Sequence, residues 1–328
     1  ALSGSITLFG KKATFKASGY DSGSAGSSVY TATLDLKAVD KTWGATAIPI
    51  WVEGDEMSAD PSEPFGDDGS IVNGVVALRD QTKDKEYADQ VAPYVGTYVA
   101  ALETAVDAER YGVTTLSATV DKKGTAKLAG TFADGTAFSG SAPLALSEGP
   151  DGEWASVDVS IAPKSLAQGA MRISLSFYEE DGTVTPVCEA MAAKYVRTSG
   201  EYEESSLVCV EAYRYSSLAW VGGSVDPSAT CLSVRCENGS FDEALFAWKT
   251  KKDPICGLEI TGIDKKLLGP SMTFKIDDKT GLFSGTCGSY KIFGAMSEGS
   301  CSGIGTAVGK DGSVDWVGVE VAEPPLNP

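Results

Sequence analysis

The chain contains no histidine, and that absence removes whole classes of chemistry. Without imidazole, the protein alone builds no Ser-His-Asp or Cys-His relay, no histidine-ligated zinc or haem site, and no histidine pH switch. Basic residues are scarce beside acidic ones: 27 Lys and Arg against 45 Asp and Glu give 27 − 45 = −18. A protein of that charge repels phosphate, so nucleic acid is excluded as a partner. No apolar run reaches the roughly 18 residues that a membrane helix needs, which argues against membrane insertion. Cysteine is missing from the first half of the chain, and all seven (Cys188, Cys209, Cys231, Cys236, Cys256, Cys287 and Cys301) come later. No CxxC occurs, which leaves a zinc ribbon or a thioredoxin-type motif without support. The seven read as buried thiols, with candidate disulfides among them and an odd one left over.

What is present points to a globular β protein. Of the 328 residues, 42% are hydrophobic and 22% charged, ordinary values for a folded chain. Glycine, 37 residues, and proline, 14, punctuate it without any collagen-like period. Apolar residues alternate for a few positions and then meet Asp-Gly, Asn-Gly or Lys-Lys-Gly, the pattern of strands joined by tight turns. Val113 to Val120, Thr125 to Phe132 and Thr136 to Leu146 make one predicted meander, broken at Asp121 to Gly124 and Ala133 to Gly135. Ser271 to Ile276, Leu282 to Cys287, Tyr290 to Met296, Ser300 to Val308 and Ser313 to Val321 make another. An internal echo links the two, Val120-Asp121-Lys122-Lys123 with Ala129-Gly130-Thr131 against Ile276-Asp277-Asp278-Lys279 with Ser284-Gly285-Thr286.

The N-terminal part reads as strands at Ser5 to Phe9, Ala13 to Ser18, Val29 to Lys37, Thr46 to Val52 and Ile71 to Leu78, with a Gly/Ser loop from Gly19 to Ser28. An acidic loop, Glu53 to Gly69, carries seven carboxylates. A short helix is predicted over Thr82 to Val91, stopped by Pro93. The expected organisation is all-β: a smaller N-terminal block, residues 1–92, with its acidic loop and linker helix, then a larger antiparallel meander of barrel or sandwich type over residues 93–328.

Four motifs occur in order: Tyr94 to Tyr98 (YVGTY), Leu128 to Thr136 (LAGTFADGT), Met272 to Ile276 (MTFKI) and Lys279 to Thr286 (KTGLFSGT). Together they resemble a glycine-rich β-repeat of large secreted bacterial surface proteins, over about residues 94–317. That resemblance implies a barrel-like or sandwich module in an exported protein, found at the cell surface or outside the cell. It implies no reaction, and the cysteines are not part of its pattern.

Candidate sites emerge from residue chemistry. Glycoside hydrolysis needs two carboxyl groups about 5 to 9.5 Å apart and no imidazole. Glu179, Glu180 and Asp181, or Glu201, Glu203 and Glu204, supply acids, although Glu179 to Gly182 also reads as a solvated hairpin turn and Glu201 to Glu204 as edge protection. Calcium is the metal that oxygen ligands would suit, with Asp55, Glu56, Asp60, Asp67 and Asp68 as candidates, although they lack the D-x-D-x-D-G spacing. Six tryptophans offer stacking surfaces for sugars: Trp43 and Trp51 are the platform candidates, Trp220 and Trp248 sit in apolar runs that suit a core, and Trp154 and Trp316 complete the set. Asn238-Gly239-Ser240 is both a glycosylation sequon and a hairpin turn, and the turn is the expectation. The functional expectation is a non-enzymatic structural or adhesive module that meets other surface proteins or copies of itself through exposed strand edges. Carbohydrate binding and a carboxylate-dependent glycosidase are the alternatives.

Overall fold

A computed structural model of the chain describes residues 3–8, 11–22, 27–35, 45–53, 56–59, 75–78, 81–104, 112–149, 152–161, 166–168, 171–192, 195–197, 200–202, 207–216, 221, 225–253 and 257–325. The expected all-β, antiparallel architecture is what these residues form. Among them no helix is long and apolar enough to cross a membrane.

Strands β1 (Ser3–Leu8), β2 (Lys11–Ser22), β3 (Ser27–Asp35), β4 (Ala45–Glu53), β5 (Glu56–Ala59) and β6 (Val75–Leu78) pair in chain order as a six-stranded antiparallel meander. Two expectations change here. The predicted Gly/Ser loop is narrower, because β2 runs on to Ser22 and pairs it with Ser28 of β3. The predicted acidic loop holds a strand of its own, since Glu56 to Ala59 turns back along β4 with Glu53 opposite Glu56. Carboxylate density disguises a four-residue strand whose pairing is made by the backbone.

The predicted ten-residue helix shrinks to one turn, α1 (Tyr87–Gln90), followed by the 3-10 turn Ala92–Tyr94. Pro93 within that turn donates no amide and cannot continue the α-helical ladder. Side chains of this segment are anchored to the meander after it. Buried Tyr87 donates its hydroxyl to the carbonyls of Leu144 (2.7 Å) and Gly124 (3.3 Å). Gln81 makes a two-way bond with the backbone of Leu146.

Next come β7 (Gly96–Thr104), β8 (Val113–Val120), β9 (Thr125–Thr131), β10 (Ala137–Pro143), β11 (Ala145–Gly149), β12 (Gly152–Ile161), β13 (Leu166–Gln168), β14 (Met171–Glu180), β15 (Thr183–Ala192), β16 (Tyr195–Arg197), β17 (Gly200–Tyr202) and β18 (Leu207–Tyr215). Nine of them form one sheet in the order β10-β9-β8-β7-β18-β15-β14-β12-β11, while β13, β16 and β17 form a small separate one. The large sheet rolls so that Gly140 of β10 comes against Val159 of β12. Its interior holds Tyr98, Leu102, Leu116, Leu128, Phe138 and Phe177.

The last strands are β19 (Cys231–Cys236), β20 (Ala244–Asp253), β21 (Gly257–Leu268), β22 (Met272–Ile276), β23 (Leu282–Cys287), β24 (Tyr290–Met296), β25 (Gly303–Val308) and β26 (Val314–Ala322). Their sheet, ordered β21-β20-β19-β26-β25-β24-β23-β22, ends on two strands that are neighbours in the chain, and it nearly closes into a barrel. Phe246 of β20 and Phe274 of β22 bridge the closing seam, ring centroids 5.4 Å apart, and Phe274 meets Phe283 at 5.2 Å.

The rolled sheet and the barrel share a wall. Along β7, Tyr98, Ala100 and Leu102 belong to the core of the roll, whereas Val99 and Ala101 belong to the cluster that fills the barrel. Both faces of one strand are therefore buried, which is why this strand reads as a nearly continuous apolar run. At the same junction the Val113 amide donates to Thr306 Oγ1 at 2.6 Å. Tyr213 donates its hydroxyl to the Met296 carbonyl at 2.7 Å, and burial pushes that phenol well above its ordinary range. The Glu298 amide donates to Glu211 Oε1.

Candidate binding face

The acids singled out in the sequence are held by their own turns. Asp181 and Gly182 both take positive φ, 49° and 77°, the two-residue turn that joins β14 to β15, and Glu179 Oε1 accepts the Gly182 amide at 2.8 Å. Glu180 and Asp181 are exposed there, as the solvated-turn reading expects. Asp121, Asp226, Asp277 and Asp311 likewise accept amides two residues on, each closing an Asx-type turn. Glu201 lies in β17 with its backbone alone described, and Glu203 and Glu204 fall outside the described residues.

The calcium candidates Asp55, Asp60, Asp67 and Asp68 also fall outside the described residues, as does Trp43. Glu56 and Trp51 lie in β5 and β4, of which only the backbone is described at those positions. Among the described residues no group of three or more Cys, Asp and Glu is gathered as a metal site. The disulfide expectation is corrected for the cysteines described. Cys188, Cys209, Cys231, Cys236, Cys287 and Cys301 are thiols, and five of the six are buried. They pack as small apolar side chains; Cys231 and Cys236, five positions apart on one strand, cannot share a face. Cys256 lies outside the described residues.

Asn238-Gly239-Ser240 is a bend within the longer connection from β19 to β20 rather than the tight hairpin turn expected, with Gly239 at φ 79°. The amides of Asn238 and Ser240 both donate to the carboxylate of Asp315, each at 3.1 Å. Burial pushes Asp315 up, but these hydrogen bonds outweigh it and hold the carboxyl below its usual range. Trp248 is core, as its apolar run suggests, with its indole N–H on Thr230 Oγ1 at 3.1 Å. Trp220 lies outside the described residues.

The exposed aromatic surface lies elsewhere, on the outside of the roll. Trp154 of β12 stands directly opposite Tyr178 of β14, and Thr185 of β15 continues the row. The two rings are nearly parallel, 21° apart, with centroids 6.4 Å apart, an offset arrangement. Tyr178 is 49% exposed and Val187, further along that face, 41%. Strand parity explains the exposure. Ile173, Leu175 and Phe177 turn inward on β14, as do Ala155, Val157 and Val159 on β12, so Tyr178 and Trp154 are left on the outer face. Ser176, Ser174 and Asp158 share that face. Asp158 is exposed and the two serines are half-buried, while Ser156, between Trp154 and Asp158, is buried. The platform candidates taken from the sequence do not include this pair, although the parity of the flanking apolar residues is a signal that points to it.

A concavity of about 610 Å³ runs along the junction between β8 and β9 of the roll and the β22–β23 hairpin of the barrel. Thr115, Ser117 and Thr131 line one side, and Lys275, Asp277 and Lys279 the other. Its charges are mixed, and Asp277 Oδ1 is occupied by the Lys279 amide.

No family model, no curated protein and no solved structure matches the chain.

Proposed function

We propose that the chain is a non-enzymatic structural and adhesive β module of an exported, cell-surface or extracellular protein. The observation that carries the reading is the shared wall: β7 contributes alternate side chains to two cores, which makes the roll and the barrel one stiff body. Stiffness suits a part that holds a surface in a fixed orientation rather than one that closes over a substrate. The described acids support the same reading, because those in hairpin turns accept the amides of their own turns, Asp277 in the junction concavity included. High negative charge keeps such a body soluble and discourages random association.

Native mass spectrometry of the intact chain, incubated with a panel of polysaccharide fragments, tests the non-enzymatic part. Fragments that keep their length are expected, with or without adducts. Shortened fragments would overturn the reading in favour of a glycosidase.

A further inference from the structure

The outer face that carries Trp154 and Tyr178 has the chemistry of a sugar-binding surface. We propose that it binds an uncharged polysaccharide, and that this glycan is the adhesive partner of the module; the assignment rests on the adhesive reading above.

Three observations converge. First, a pair of nearly parallel aromatic rings lies on the face of the sheet opposite the core of the roll, Tyr178 half exposed and Trp154 partly buried. A pyranose ring presents a face of polarised C–H groups, and these pack favourably on the electron-rich face of an indole or phenol. Second, the rings do not stand in a purely apolar patch. Thr185 and Ser176 stand beside them in register, and Ser174 and Asp158 lie further along the same face, giving hydroxyl donors and acceptors and one carboxylate acceptor for sugar hydroxyls. A protein partner would need a wider apolar core with a polar rim, whereas a narrow aromatic strip flanked by hydroxyls fits a single glycan chain lying along it.

Third, charge selects the class of glycan. Glu180 and Asp181 are exposed at the hairpin end beside Tyr178, Asp158 is exposed on the same face, and the whole chain carries −18. Uronate-rich or sulfated chains would be repelled from this face, and a neutral chain loses nothing on approach. The Asp181-Gly182 turn and the Glu179–Gly182 hydrogen bond fix the hairpin end, so the backbone that carries Tyr178 is set before the ligand arrives.

The test is isothermal titration of the full chain with three soluble probes, a neutral β-glucan oligosaccharide, a neutral xylan oligosaccharide and an oligouronate, backed by quenching of tryptophan fluorescence. Binding of a neutral probe and none of the oligouronate is expected. Tyr178→Ala and Trp154→Ala should each weaken binding by about tenfold or more, while Tyr178→Phe, which keeps the ring, should stay within about threefold of the parent. Leu258→Ala, at a second exposed apolar position far along the chain, should change nothing. Thermal unfolding of each variant confirms that the fold is intact, and Tyr178 is exposed enough for its truncation to be tolerated. Failure of both neutral probes to bind, or equal binding by Tyr178→Ala and the parent, would overturn the proposal and leave the non-enzymatic scaffold standing. Cleavage of a probe would overturn the scaffold reading instead.

Discussion

Val113 and Thr306 hold each other through the backbone of one residue and the hydroxyl of the other: the Val113 amide donates to Thr306 Oγ1 at 2.6 Å, and the same hydroxyl donates back to the Val113 carbonyl at 3.2 Å. The two residues are both buried and stand 193 positions apart, one on the roll and one on the barrel. Backbone polar groups at that depth would otherwise be orphaned, so one threonine hydroxyl makes the junction possible.

Thr306→Val keeps the shape of the side chain and deletes the hydroxyl, leaving the Val113 amide and carbonyl without this partner. A loss of about 1–3 kcal/mol is expected for the stranded groups. Urea unfolding monitored by tryptophan fluorescence would measure it. Thr306→Ser should recover most of the loss. Because the two cores share β7, the parent should show one cooperative transition for the roll and barrel together, and two separated transitions would contradict the shared wall.

Gly130 and Gly285 occupy matching places in the two echoed hairpins. A Cβ on Gly130 would run into the carbonyl of Thr115, and one on Gly285 into the carbonyl of Thr273. Backbone cannot step aside as a flexible side chain does, so Gly130→Ala and Gly285→Ala should each destabilise by about 1–3 kcal/mol. Gly182→Ala meets nothing within 4 Å and is strained only by its φ of 77°, so about 1 kcal/mol is expected there. Chemical denaturation of the three variants would rank them.

Acid should loosen the barrel through Asp315. Its carboxyl is depressed in the fold below the ordinary 3.8, so its contribution is fully present above that value and is lost as pH falls toward the depressed one. Stability measured from about pH 6 downward should therefore drop below about pH 4, and Asp315→Asn should flatten part of that slope while lowering stability at the starting pH. An unchanged acid slope in the variant would contradict the role given to the Asn238 and Ser240 amides.

The thiols of Cys231, Cys236 and Cys287 should resist alkylation in the native protein at neutral pH. Burial pushes all three up, and the neighbouring Asp315 charge adds to this at Cys236, so the reactive thiolate is scarce as well as shielded. Burial pushes the Cys209 thiol up as well, so its greater exposure alone should let it label before them. Iodoacetamide labelling with peptide mass mapping, before and after denaturation, measures the order.

Turns make the fold legible. Asp121 to Gly124, Ala133 to Gly135, Asp277 to Gly281 and Gly309 to Gly312 each mark a strand boundary, because Asp caps its own turn and glycine takes the positive φ that the turn requires. The short extent of the helix before Pro93 and the strand inside the acidic segment escape a local reading, because composition there outweighs pairing, and pairing is set by distant backbone. The candidate site is less legible. Trp154 sits in a strand whose inward residues include Ala155, Val157 and Val159, so its own outward direction is readable by parity, but its partner Tyr178 is on another strand. Which strands lie side by side, here β12 beside β14, no local pattern states.

Hydrogen exchange with mass spectrometry, on the full chain with and without the neutral oligosaccharide bound in titration, locates the glycan on the molecule. Slower exchange confined to peptides from residues 152–161 and 171–187 is the result predicted for the Trp154 and Tyr178 face. Protection centred on residues 115–131 and 275–294 would place the ligand in the junction cleft and contradict that assignment.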